Sequence, residues 1–207
     1  LIGLGTWYIV RDMRRAHSPL RGWVFAVMLL EASVLALCFG TVIGSLTSHL
    51  LGVVGIKNAA DVLVAHGPGG IGPVSRWTAG FTRVAALAAP PVGPIATAPT
   101  ATKVMLALGA GVYEELLFRV LLVSAIAFLA RRVFRWRPVV ATVLAVVLSA
   151  LIFAAFHYIG PYGDPLRVDS FVFRFIGGLA FSVLYVTRGF GVTAWTHSLY
   201  DLLVLVA

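Results

Sequence analysis

The chain has 207 residues, 60% of them hydrophobic and 12% charged, where a globular domain carries about 25% charged residues. With a mean hydropathy of +0.97, this excludes a disordered chain, a disulfide-stapled secreted fold and a soluble enzyme, and leaves an all-α polytopic integral membrane helical bundle. The 16 Lys and Arg against 8 Asp and Glu give a net charge of +8. These basic residues sit in short clusters between apolar runs, the pattern that orients a membrane protein in its bilayer, so no nucleic-acid partner is expected.

Taken in chain order, residues 1–10 read as the tail of a preceding span, with no cleavable signal pattern. A sequence that begins at Leu1 and ends at Ala207 within an apolar stretch is expected to be an excerpt of a longer protein. Residues 22–51 form the first full span. Residues 52–102 are rich in Gly and Pro (Gly67-Pro68-Gly69-Gly70, Pro90-Pro91) and predict a long loop, in which 79–98 could dip into the interface. Four further apolar segments are expected at 103–130, 138–157, 168–187 and 190–207. Arg11, Arg14, Arg15 and Arg21, then Arg131, Arg132, Arg135 and Arg137, then Arg188 mark three cytoplasmic loops. That places 52–102 and 158–167 outside, provided the first of these does not cross. Two regions follow: 1–102, with the N-terminal spans and the long loop, and 103–207, a membrane domain that carries the chemistry.

Cys38 is the single cysteine, so neither an intrachain disulfide nor a cysteine metal site is available. The acids are more informative. Of the 8, four (Glu31, Glu114, Glu115 and Asp201) fall inside apolar runs, where a carboxylate at the bilayer centre costs about 2.5–3.5 kcal/mol on insertion scales. Each needs a reason.

In Glu114-Glu115-Leu116-Leu117-Phe118-Arg119 the i,i+4 spacing puts Glu115 and Arg119 on one helical face, acid before base. Glu114 points about 100° away and lacks that partner. Such a carboxylate can take a proton from water, as general-base chemistry requires; the alternative is a structural ion pair between helices. In Phe153-Ala154-Ala155-Phe156-His157, Phe153 lies one turn before His157 and can pack on its ring. A histidine there is either interfacial or functional. In His197-Ser198-Leu199-Tyr200-Asp201, Asp201 is placed to accept the imidazole N–H and fix its tautomer. A buried His–Asp bond between helices is the other reading. Three such signals on three separate helices form a constellation.

The ordered triple Glu-Glu-x-x-x-Arg, Phe-x-x-x-His and His-x-x-x-Asp resembles the CAAX-processing and bacteriocin-processing (CPBP, or Abi) family of intramembrane proteases, over about 103–207. The resemblance implies that Glu114 activates the water that attacks a peptide bond. Glu115 and Arg119 would support it, and His157 and His197 would hold a metal or stabilise the oxyanion. Asp201 stands where many members have Asn, so it would donate a hydrogen bond only when protonated. A divalent metal such as zinc on His157 and His197, or a metal-free site in which two histidines polarise the carbonyl, both satisfy the pattern. The family thus implies a metalloprotease or a glutamate-dependent protease. If every helix stands upright, Glu114, His157 and His197 differ in depth by more than about 10 Å at 1.5 Å per residue. Tilted or broken helices around a water-filled cavity would be needed.

The expected function is therefore an intramembrane endopeptidase acting on a membrane-associated or lipidated peptide, in a prokaryotic cell membrane. Its rivals are a non-enzymatic bacteriocin-immunity type membrane protein and a proton-coupled transporter. No His-Glu-x-x-His and no Gly-x-Ser-Gly occurs, which argues against site-2 and rhomboid types, and the Tyr162-Gly163-Asp164 echo of an aspartyl motif lies in a loop. Glu31 is expected to line the cavity or to pair with Arg174 or Arg119. Arg174 is expected to snorkel toward its helix end, while His17, His49 and His66 are ordinary polar residues.

Overall fold

A computed structural model describes residues 22–56, 97–160 and 163–206. Their regular elements are all helical: α1 (Gly22–Val53), α2 (Thr100–Glu115), a π-helical stretch (Leu116–Leu122), α3 (Val123–Arg132), α4 (Pro138–Phe156) and α5 (Val168–Val206). Helices α1, α4 and α5 are long and apolar enough to cross a membrane. The all-α membrane architecture read from composition is the one observed. The first arginine cluster, His17, His66 and the 79–98 segment lie outside the described residues.

Helix α1 buries Ala32, Ala36, Gly40, Ile43, Gly44, Thr47 and Leu51, a stripe of mostly small residues. Without a hydrophobic drive between helices in lipid, small side chains let backbones approach and gain dispersion contact. This stripe packs on α5. The opposite face keeps Leu30 and Val34 exposed, as a lipid-facing surface should. Helix α4 follows the same rule, burying Ala141, Ala145, Ser149, Ala150, Phe153 and Ala154. Its start is set by Pro138 in the first turn, where a missing N–H costs nothing.

Two elements differ from the sequence expectation. Helix α2 starts at Thr100, directly after Pro99, so 100–102 are helical rather than loop. The segment expected as one helix over 103–130 also changes its winding at 116–122. There the Val123 N–H bonds the Phe118 carbonyl, five residues back. The same carbonyl accepts Ser149 Oγ–H from α4 at 2.8 Å. An extra residue in one turn is tolerated because a neighbouring helix supplies hydrogen bonding.

Helix α5 bends at Gly189, whose φ of 82° and ψ of 176° belong to a region that essentially only glycine occupies. The two arms, 168–188 and 190–206, match the two segments expected from hydropathy. Phe181 and His197, each eight residues from Gly189, stack with ring centroids 4.4 Å apart. The arms therefore fold back as an antiparallel hairpin, and the second arm carries His197 and Asp201 into the protein.

Candidate active site

The second arm of α5 crosses α2 at very short range. A Cβ added to Gly111 would lie 2.6 Å from the Ser198 nitrogen and 2.7 Å from its Cα, so only glycine fits there. That approach presses His197, the neighbour of Ser198, against the two glutamates one turn further along α2. His197 Nδ1–H donates to Glu115 Oε1 at 2.7 Å, with both side chains buried. Glu115 Oε2 forms an ion pair with Arg119 Nε at 3.2 Å, the i,i+4 pair read from the sequence.

Arg119 lies on the π-helical stretch, 1% exposed. Its Nη2–H donates to the Gly178 carbonyl at 3.2 Å, and its guanidinium covers the Phe153 ring at 4.5 Å. A buried cation survives only with partners of this kind: a carboxylate, a carbonyl and an aromatic face. Glu115 thus holds His197 with one oxygen and pairs with Arg119 through the other.

Glu114 is left to face the other ring nitrogen. Its Oε2 is 3.8 Å from His197 Nε2, and the side chain keeps 19% of its exposure. Asp201 Oδ2 approaches the same nitrogen at 3.6 Å. This corrects the expectation that Asp201 fixes the tautomer. Glu115 does so from a different helix, because the tight crossing at Gly111 brings α2 nearer to Nδ1 than Asp201 can reach along its own helix.

His157 joins through Phe153. That ring stands 4.8 Å from the His157 ring and 6.1 Å from the His197 ring, edge-on to both. His157 Nδ1–H donates to the Phe153 carbonyl at 2.8 Å, which leaves Nε2 available. The hairpin at Gly189 and the close crossing at Gly111 together remove the depth mismatch expected for upright helices. A cavity of about 90 Å³ lies beside the two histidines, lined among others by Phe39, Phe153, His157, Arg174, His197 and Asp201.

A model of the family described as type II CAAX prenyl endopeptidase Rce1-like matches residues 96–203, just over half of the chain. The chain belongs to the Rce1-like family. No curated protein and no solved structure matches it. The Rce1-like region covers α2 through nearly all of α5, hence Glu114, Glu115, Arg119, His157, His197 and Asp201. The protein is thus an integral membrane member of a family of CAAX endopeptidases, as the ordered motifs implied.

Helix α1 lies outside the Rce1-like match, yet it supplies Phe39 to the cavity wall. The Phe39 ring stacks on Phe181 at 4.1 Å, and Phe181 stacks in turn on His197. No motif announced Phe39, since one aromatic in an apolar span carries no distinguishing signal. Arg174 was detectable by the rule that exposed the acids, a charge within an apolar helix. It does not snorkel: it is buried, pairs with Asp164 and covers the Tyr158 ring at 5.1 Å. Glu31 pairs with neither Arg174 nor Arg119. It accepts from Arg188 Nε and Nη2 at 2.6 and 2.5 Å, tying α1 to the bend of α5.

Among the described residues, no three His, Cys, Asp or Glu side chains group closely enough to hold a metal ion. His157 and His197 each keep one ring nitrogen, and the Glu114 and Asp201 carboxylates lie 3.8 and 3.6 Å from that of His197. A zinc site needs its ligands about 2.0–2.3 Å from one point, and these do not group so. The donor set as it stands does not fit a divalent metal.

Proposed function

We propose that the protein hydrolyses a peptide bond in a membrane-associated or lipidated peptide, with Glu114 as the base that activates water. One observation carries this reading: two adjacent carboxylates have different employments. Glu115 is consumed by His197 and Arg119, whereas Glu114 faces His197 Nε2 at 3.8 Å and is not fully enclosed by protein. A base must reach both water and the reacting carbonyl, and Glu114 is the acid of the pair with that freedom.

In this reading the scissile carbonyl enters the cavity between His157 and His197. Glu114 takes a proton from water as its oxygen bonds to the carbonyl carbon, forming a tetrahedral oxyanion. His197, protonated on both nitrogens with its Nδ1–H held by Glu115, presents Nε2–H to the developing negative charge. A donor already fixed in place loses nothing to reorganisation when the charge appears. Collapse of the intermediate breaks the C–N bond, and Glu114 returns its proton to the leaving amine. His157 contributes the second imidazole beside the carbonyl, and Asp201 stands next to His197 Nε2. The apolar, aromatic wall suits a peptide delivered from the lipid phase.

The test is cleavage of a mixed library of membrane-associated peptides, including prenylated C-terminal peptides, by purified protein in lipid beside Glu114→Gln. Products that vanish in the variant support the reading. Equal products in both samples remove Glu114 from the chemistry.

A further inference from the structure

His157 ends α4, where a helix leaves its last carbonyls without intrahelical partners. Its imidazole is anchored on the Phe153 carbonyl, but its backbone is held from elsewhere. The His157 carbonyl accepts the Asp164 N–H at 2.9 Å. The Asp164 carboxylate in turn accepts from Arg174 Nη2 on the first arm of α5. Arg174 covers the ring of Tyr158, the residue after His157, and Tyr158 stacks on Phe171 at 6.1 Å. Beyond α4, Gly163 N–H donates to the Gly160 carbonyl at 3.1 Å. The Asp164–Arg174 ion pair, with side chains 16% and 8% exposed, ties the segment after α4 to α5, as does the pair of Arg167 with Asp169. Arg174 also lines the cavity beside His157.

We propose that Asp164 and Arg174 are positioning residues for His157, a clasp that fixes the end of α4 against α5 and so sets where the imidazole stands in the cavity. This rests on the reading of His157 as part of the reacting site. The clasp uses the properties that distinguish arginine from lysine. A planar guanidinium donates in its plane to Asp164 while its face lies over Tyr158, and an ammonium has no flat face to stack in this way. A charge-assisted bond in a poorly solvated position is also roughly twice as strong as a neutral one, enough to hold a helix end. Asp164 thus has a use unrelated to the aspartyl-protease echo around it. Its own N–H bonds the His157 carbonyl while its carboxylate meets a cation on the next helix.

The experiment compares Asp164→Asn with Asp164→Glu in purified protein in lipid. Asp164→Asn keeps the size and loses the charge. It is expected to lower kcat by about 10- to 100-fold, as a misplaced group does, with KM within about threefold of wild type. Asp164→Glu, which keeps the charge, is expected to recover most of the loss. A second readout needs no substrate: the ¹⁵N imidazole resonance of His157, assigned by its absence in His157→Gln, shifts or broadens in Asp164→Asn and returns in Asp164→Glu. If Asp164→Asn does not fold, judged by its thermal midpoint, Arg174→Lys carries the same two readouts.

An unchanged kcat with an unchanged His157 resonance overturns the clasp. A rise in KM alone overturns it too, and would assign Arg174 to binding a substrate carboxylate. If the wild-type protein cleaves nothing, the resonance decides by itself. A shifted signal then keeps the clasp while the protease reading falls, and an unmoved signal overturns the clasp.

Discussion

His197 Nδ1 lies 2.7 Å from one oxygen of Glu115, and the other oxygen of the same carboxylate lies 3.2 Å from Arg119 Nε. One buried acid thus orients a histidine on α5 and neutralises an arginine on its own helical rod. Removing one partner of a buried ion pair strands the other, at a cost of about 3–5 kcal/mol. Glu115→Ala is expected to lose stability of that order, read as a lower thermal midpoint in detergent. Glu115→Gln, which keeps the shape, should lose less. Equal stability of wild type and Glu115→Ala would mean that the His197–Glu115–Arg119 chain does not hold the helices together.

The crossing of α2 and α5 makes a sharper demand. A methyl group at Gly111 would meet the Ser198 backbone at 2.6 to 2.7 Å, and backbone cannot swing aside as a side-chain tip can. Gly111→Ala should therefore destabilise by about 1–3 kcal/mol, as overpacking does. It should also lower kcat, because the displaced residue adjoins His197. Gly109→Ala is the control. Nothing among the described residues lies within 4 Å of a Cβ there, so the helix should gain about 0.5–1 kcal/mol. Thermal midpoints of the two variants should move in opposite directions.

Phe39 reaches the cavity from a helix that the family match does not include. Its ring begins the stack that continues through Phe181, at 4.1 Å, to His197, at 4.4 Å. Phe39→Ala should enlarge the wall beside His197 and shift cleavage toward bulkier apolar side chains. The relative kcat/KM for large over small residues should rise by about 10-fold, the scale on which apolar pockets discriminate. Product profiles from a peptide library measure this directly. An unaltered profile would leave Phe39 a packing residue.

Chemistry carried by Glu114 and two histidines predicts indifference to chelators. Because metal affinity depends on deprotonated ligands and a complete donor set, an ion held by these side chains would be removable. Cleavage after treatment with 1,10-phenanthroline, followed by dialysis, is expected to stay within about twofold of the untreated rate. A loss restored by added zinc would instead put a metal on His157 and His197.

Much of this protein was legible before any coordinates. Composition alone demanded a helical membrane protein, because so few charges cannot cover a soluble surface of this size. Hydropathy located α1, α4 and both arms of α5 to within a few residues, since span length is set by bilayer thickness and not by neighbours. The cost of burying charge singled out Glu114, Glu115 and Arg119, and spacing paired the last two correctly. The motif order carried the family.

Other properties depended on three-dimensional contacts, which local patterns do not encode. Spacing joined His197 to Asp201, four residues away, but a backbone crossing permitted by Gly111 gave its Nδ1 to Glu115. The turn at Gly189, the π-helical stretch around Arg119 and the bond from Asp164 to His157 all depend on which surface a helix finds beside it. Hydrophobicity and helical period therefore determined what must be buried and on which face. Close packing alone determined which groups meet His197, because its distances to Glu114, Glu115 and Phe153 each span two helices.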